Sequence, residues 1–142
     1  MSAPLALATW DEIEASAPVL AATMRRYLQQ IACSLRPGSV TGVELGLRAF
    51  AGFLLEAHPE VSTVAAVTRG HIEAYKPWLA ARPGQRVPRL TVNTRAHRLG
   101  TLRMFFLRLE EWDWPDDPSA SPIGRARRGR SAARHAAVLG LL

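Results

Sequence analysis

The chain has 142 residues and a formal net charge of +6, with 48% hydrophobic content, which suits one domain with a real core and excludes wholesale disorder. Cys33 is the only cysteine, so an intramolecular disulfide is excluded. No run approaches the ~18 apolar residues of a membrane span, and the first twelve residues lack the basic start and apolar run of a secretion signal, so the expected location is cytoplasmic, without membrane contact.

The pattern predicts four helices and no strand, an all-α fold. Residues 1–15 read as an N-terminal arm. The first helix is expected from Ser16 to Leu35, with Leu20, Met24, Tyr27, Leu28, Ile31 and Leu35 on one face and Pro18 acceptable near its start. Arg36-Pro37-Gly38 should end it, and Ser39 is a natural N-cap for a second helix running to His58. Val40, Val43, Leu47, Phe50 and Leu54 form one stripe of that helix, and Leu45, Ala49 and Phe53 another. Two apolar sides predict a central position. A third helix should begin at an N-cap Thr68 and turn Ile72, Tyr75, Trp78 and Leu79 inward, with Pro77 kinking it or ending its regular part. After a loop from Arg82 to Arg89, a fourth helix is expected from Thr91 to Trp112, with Val92, Leu99, Leu102, Phe106 and Leu109 on its core face. Residues 113–122 carry three prolines and read as non-helical. Residues 124–142 form a basic tail ending in the apolar run AAVLGLL.

Charge is unevenly placed. Residues 1–60 carry four basic and six acidic groups (−2), residues 61–112 nine and three (+6), and residues 113–142 five and three (+2). Basicity gathered in one region points to a polyanion-binding face. Seventeen of the eighteen cations are arginine, the better fork for phosphate and guanine edges, although a GC-rich codon bias favours arginine as well. The candidate site joins two helix starts and a loop: Ser39 and Thr41; Arg86 and Arg89; and Thr91, Asn93, Thr94, Arg95, His97 and Arg98. Hydroxyls, amides and guanidiniums at helix N-termini suit phosphate contacts. Asn93, Arg95, His97 and Arg98 are the expected base readers. The alternative is that Ser39 and Thr91 merely cap and the arginines are solvated.

Catalytic signals are weak. His58, His71, His97 and His135 lie in no metal-ligand spacing with Cys33 or the carboxylates, so no metal site is expected. Cys33 has no neighbouring histidine to activate it. Neither common glycine-rich phosphate loop is present, and no cofactor is expected.

The order of the helices resembles the N-terminal core-binding (SAM-like) domain of tyrosine recombinases, the phage-integrase family. In that family a Ser- or Thr-capped helix carries L-R-x-F. Here Ser39, Val43 and Leu47-Arg48-Ala49-Phe50 match, with Val43 where tyrosine is frequent. The last helix of the family follows T-x-x-x-R-L-x-x-L-R-x-F-F-x-x-L, supplied here by Thr94, Arg98, Leu99, Leu102, Arg103, Phe105, Phe106 and Leu109. A proline before the interdomain linker matches Pro122, while Ser121 stands where asparagine is common. The resemblance covers Ser16 to Ile123.

It implies a four-helix domain that clamps double-stranded DNA, with the second and fourth helices at the major groove and other recombinase protomers as further partners. The family's catalytic Arg, Lys, His and Tyr would follow the linker, where this chain has neither tyrosine nor lysine. The implied role is DNA recognition in recombination or integration, with no catalytic residues and no strand cleavage. Arg125, Arg127, Arg128, Arg130 and Arg134 fit either a backbone-crossing linker or a solubilising tail. A helical protein-interaction module, using AAVLGLL and the Trp112–Trp114 loop, is the competing expectation.

Overall fold

The computed structural model describes residues 7–82, 89–112 and Leu142. These residues form five α-helices and one 3-10 turn, without a strand: α1 (Trp10–Ser16), α2 (Pro18–Ile31), α3 (Pro37–Ala57), the turn Val64–Ala66, α4 (Arg69–Ala80) and α5 (Val92–Glu111). The all-helical class agrees with the pattern of the sequence; the number of helices does not.

The additional helix is α1, in the stretch expected to be an arm. Thr9 and Glu12 form a capping box: the Glu12 N–H donates to Thr9 Oγ1 and the Thr9 N–H donates to Glu12 Oε1, both at 3.2 Å. Asp11 and Glu12 favour the positive end of the helix dipole. Seven residues cannot hold a helix in isolation, and Ile13, fully buried, anchors this one in the core. Arg48 secures the entry, its Nε donating to the Ala8 carbonyl at 2.8 Å.

Pro18 opens α2 at a position where a missing N–H costs nothing. Leu20, Met24, Tyr27 and Ile31 are buried, as their spacing predicts. The helix stops at Ile31, short of Leu35. Pro37 then opens α3 with Arg36 as N-cap, so Ser39 is not a cap but an exposed residue of the first turn.

α3 touches α1, α2, α4 and α5, and its most extensive contact is with α5. By length and composition it is the one helix among the described residues able to cross a membrane. Here Leu47, Ala49, Phe50, Ala51, Phe53 and Leu54 are buried against other helices. Leu45, expected to be inward, is 36% exposed.

Thr68 is the N-cap of α4, as expected, with His71 accepting from its backbone N–H at 2.9 Å through Nδ1. Pro77 does not end the helix, which continues to Ala80. Thr91 is the N-cap of α5, its Oγ1 accepting from the Thr94 N–H at 3.2 Å. Leu102, Phe105, Phe106 and Leu109 are buried, but Val92 is 69% exposed and contributes nothing to the expected core face. Aromatic edges bind the layers together: Phe50 meets Tyr75 at 5.0 Å and Phe106 at 6.4 Å between ring centroids, and Tyr27 meets Phe105 at 4.9 Å. The Tyr27 hydroxyl accepts from Arg108 at 3.1 Å.

Candidate nucleic-acid interface

Two glycines set how closely α3 and α5 approach. A Cβ on Gly46 would lie 2.7 Å from Thr101 Cγ2, and one on Gly42 would lie 3.3 Å from His97 Cε1. Gly42 and Gly46 are one turn apart, as are His97 and Thr101, so the small face of α3 runs along one face of α5. The Gly42-x-x-x-Gly46 spacing is the sequence signal for this contact, carried by two glycines and by no charged or hydroxyl side chain.

Above this contact the N-terminal halves of the two helices border an open groove of about 320 Å³, lined by Gly42, Leu45, Asn93, Thr94, His97 and Arg98. Four of the ten expected site residues therefore meet. Arg95 is one turn from Arg98 on α5 and, like it, half-buried. Arg89 and Thr91 are exposed just before the helix. Ser39 and Thr41 are exposed on α3 but do not line the groove; the Thr41 hydroxyl donates to the Pro37 carbonyl at 3.0 Å. Arg86, an expected phosphate contact, lies outside the described residues, as do the arginines of the basic tail.

The arginines divide by whether a carboxylate faces them. Arg25, Arg48, Arg69 and Arg82 each face a glutamate within 4.0 Å. Among the described residues Arg36 and Arg108, outside the groove, and Arg89, Arg95 and Arg98, in or beside it, have no such ion pair, and the α5 carboxylates, Glu110 and Glu111, stand at its far end. The Nε atoms of Arg95 and Arg98 are buried without a hydrogen-bond acceptor. Burial lowers the pKa of the Arg98 guanidinium from its ordinary value, with the Tyr75 charge acting in the opposite sense. Burial likewise raises the Tyr75 phenol, which Arg98 partly opposes, and the Tyr75 hydroxyl has no hydrogen-bond partner. Arginine stays charged under such shifts. Two cations are thus held at the first turns of a helix whose free N–H groups add positive potential. An anion entering there would meet charge that no internal carboxylate has neutralised.

His58 and His71, distant in sequence, stand with ring centroids 4.8 Å apart, because the chain reverses between α3 and α4. Cys33 is exposed beyond the end of α2, with its thiol 3.6 Å from the Gln29 carbonyl. No protein-family model matches the chain, and neither a curated protein nor a solved structure matches it significantly.

Proposed function

We propose that this chain is a double-stranded DNA-binding module of the core-binding type found in tyrosine recombinases, acting in recognition of a recombination site without cleaving DNA itself. The observation that carries the proposal is the half-buried pair Arg95 and Arg98, which face no carboxylate, with Arg98 lining the groove between α3 and α5 and Arg95 one turn away. Partly burying an uncompensated guanidinium costs desolvation, and a phosphate supplies the missing counter-charge. Asn93 and His97 lie on the same turns and can reach base edges from there, while Arg89 and Thr91 contact the flanking backbone. The four-helix, SAM-like description applies to α2, α3, α4 and α5, with α1 as an addition.

The test is a fluorescence-anisotropy titration of a mixed-sequence duplex of about 20 base pairs over a salt series. Non-specific binding is expected at roughly 10⁻⁴–10⁻⁶ M at physiological salt. Arg95→Ala/Arg98→Ala should lower affinity at least about tenfold at low salt and flatten the log–log salt slope by nearly 2, since each phosphate contact contributes about 0.9. No binding by the wild-type chain at low salt would sink the proposal.

A protein-interaction module has one observation in its favour: Met104 and Leu107 are 39% and 38% exposed on α5, away from the groove. Trp112 does not add to that surface, because its ring lies 5.8 Å from Tyr27 and packs on the core. Residues 113–141, including Trp114 and most of AAVLGLL, lie outside the described residues.

A further inference from the structure

We propose that His58, Glu60 and His71 form a binding site for one divalent transition-metal ion of the zinc class, which clamps the C-terminal end of α3 to the N-terminal end of α4. One ligand atom from each of the three residues lies within 4.8 Å of the other two. Two imidazoles and a carboxylate are a donor set for Zn²⁺ and its neighbours, whereas Ca²⁺ and Mg²⁺ favour oxygen alone.

The geometry is close to what such an ion needs. Ligands about 2.0–2.2 Å from a tetrahedral centre stand about 3.4 Å from one another. His58 Nδ1 is 3.5 Å from Glu60 Oε2, and His71 Nε2 is 4.0 Å from the same oxygen. The Glu60 side chain is 67% exposed, so it can rotate to follow the ion, while the two imidazole nitrogens, within 4.8 Å of one another, close the rest of the gap by small ring rotations. The imidazoles are better fixed. The His58 ring meets Phe53 edge-on at 5.3 Å, and the His71 side chain is only 15% exposed. The backbone supports the arrangement: the His58 N–H donates to the Leu54 carbonyl, and the His58 carbonyl accepts from the Val61 N–H, closing the turn that returns Glu60 to the histidines.

Metal binding has a defined consequence for the α4 cap. His71 Nδ1 accepts from the Thr68 N–H at 2.9 Å, which places the proton of the neutral ring on Nε2. An ion at Nε2 displaces that proton. The ring proton then sits on Nδ1, where Thr68 Oγ1, 3.1 Å away, can accept it. An oxygen acceptor on the far ring nitrogen is what fixes the tautomer of a ligating histidine, and here a hydroxyl takes that place. The ring then shifts off the Thr68 N–H, which no longer has an acceptor at Nδ1 and is left to water at an exposed residue. Three protein ligands leave a fourth position for solvent.

This site is separate from the proposed DNA groove. His58 lies sixteen positions after Gly42, roughly 24 Å along the α3 axis, and its test involves no DNA.

The experiment uses the full chain without an affinity tag. ZnCl₂ at one to ten equivalents is followed by thermal melting, and CoCl₂ by visible absorption, for wild type, Glu60→Gln and His58→Gln. Zn²⁺ should raise the wild-type Tm by roughly 5–10 °C at saturating metal. Co²⁺ should give the absorption of a four- or five-coordinate ion at a stoichiometry of one. Both responses should be lost in Glu60→Gln, whose metal-free Tm stays at the wild-type value because its side chain is exposed. If His58→Gln fails to fold, Glu60→Gln decides the matter. The site is overturned if wild type shows no upward Tm shift, or if Glu60→Gln keeps the wild-type Zn²⁺ and Co²⁺ responses.

Discussion

In its N-terminal half, α3 meets α5 closely through Gly42 and Gly46, with Leu45 beside them, and borders cations that face no carboxylate. From Phe50 to His58 the same helix is covered by aromatic rings, and its charges are matched. Phe53 touches Tyr75 and Trp78, while Glu56 accepts from the Trp78 indole N–H at 3.3 Å and faces Arg82 at 3.8 Å. Arg82 in turn lies 4.0 Å over the Trp78 ring. The C-terminal half contributes stability chiefly through buried area, even though the Tyr75 hydroxyl and the Arg82 Nε packed beside it have no hydrogen-bond partner. The N-terminal half borders half-buried guanidiniums on α5 that face no carboxylate, whereas Arg82 has Glu56, and an arriving anion would supply that missing charge. One helix thereby separates holding the fold together from presenting charge.

The comparison can be broken most severely at Phe50, whose ring meets Phe53, Tyr75 and Phe106. Phe50→Ala should cost about 3–5 kcal/mol, read by urea denaturation, because the surrounding rings cannot collapse into the space. A smaller loss is expected at the close approach to α5. Gly46→Ala places a methyl against Thr101 Cγ2, a stiff β-branched neighbour, and should cost about 1–2 kcal/mol after the gain in helix propensity. Adding Thr101→Ser, which removes that Cγ2, should recover most of the loss.

Thr91→Ala removes the α5 cap and should cost about 1 kcal/mol, seen as faster amide exchange confined to the first turn of α5. The smallest effect sharpens the contrast between the two glycines. Gly42→Ala meets only the His97 ring, on an exposed side chain that can turn aside, so stability should be unchanged or rise by up to about 1 kcal/mol.

Much of the fold was legible because its signals are local. The buried stripe Leu20, Met24, Tyr27 and Ile31 follows from spacing alone, and Thr68 and Thr91 cap where their positions before apolar runs predict. α1 was missed although Thr9-Trp10-Asp11-Glu12 carries a capping box, since seven residues fall below the length that periodicity can detect. Pro37 misled in another way: the same residue can close one helix or open the next, and here it opens α3. The groove was legible on its α5 side, where Asn93, Thr94, His97 and Arg98 are consecutive turns of one helix. Its α3 side was not, because Gly42 and Leu45 enter through the crossing of two helices. The meeting of His58 with His71 depends on a chain reversal, which no local pattern encodes.

Pro77 bears on the order in which the chain assembles. Proline supplies no N–H to the Glu73 carbonyl four residues earlier, so the last turn of α4 is joined to the first by fewer internal bonds than its length suggests. That turn carries Trp78 and Leu79, whose partners in the core include residues of α3. Its order is therefore borrowed from α3 and should appear only after α3 has docked. In a kinetic analysis, truncations at Leu79 should speed unfolding while leaving the folding rate almost unchanged, with φ-values near zero, whereas Ile72 in the first turn should give distinctly higher ones.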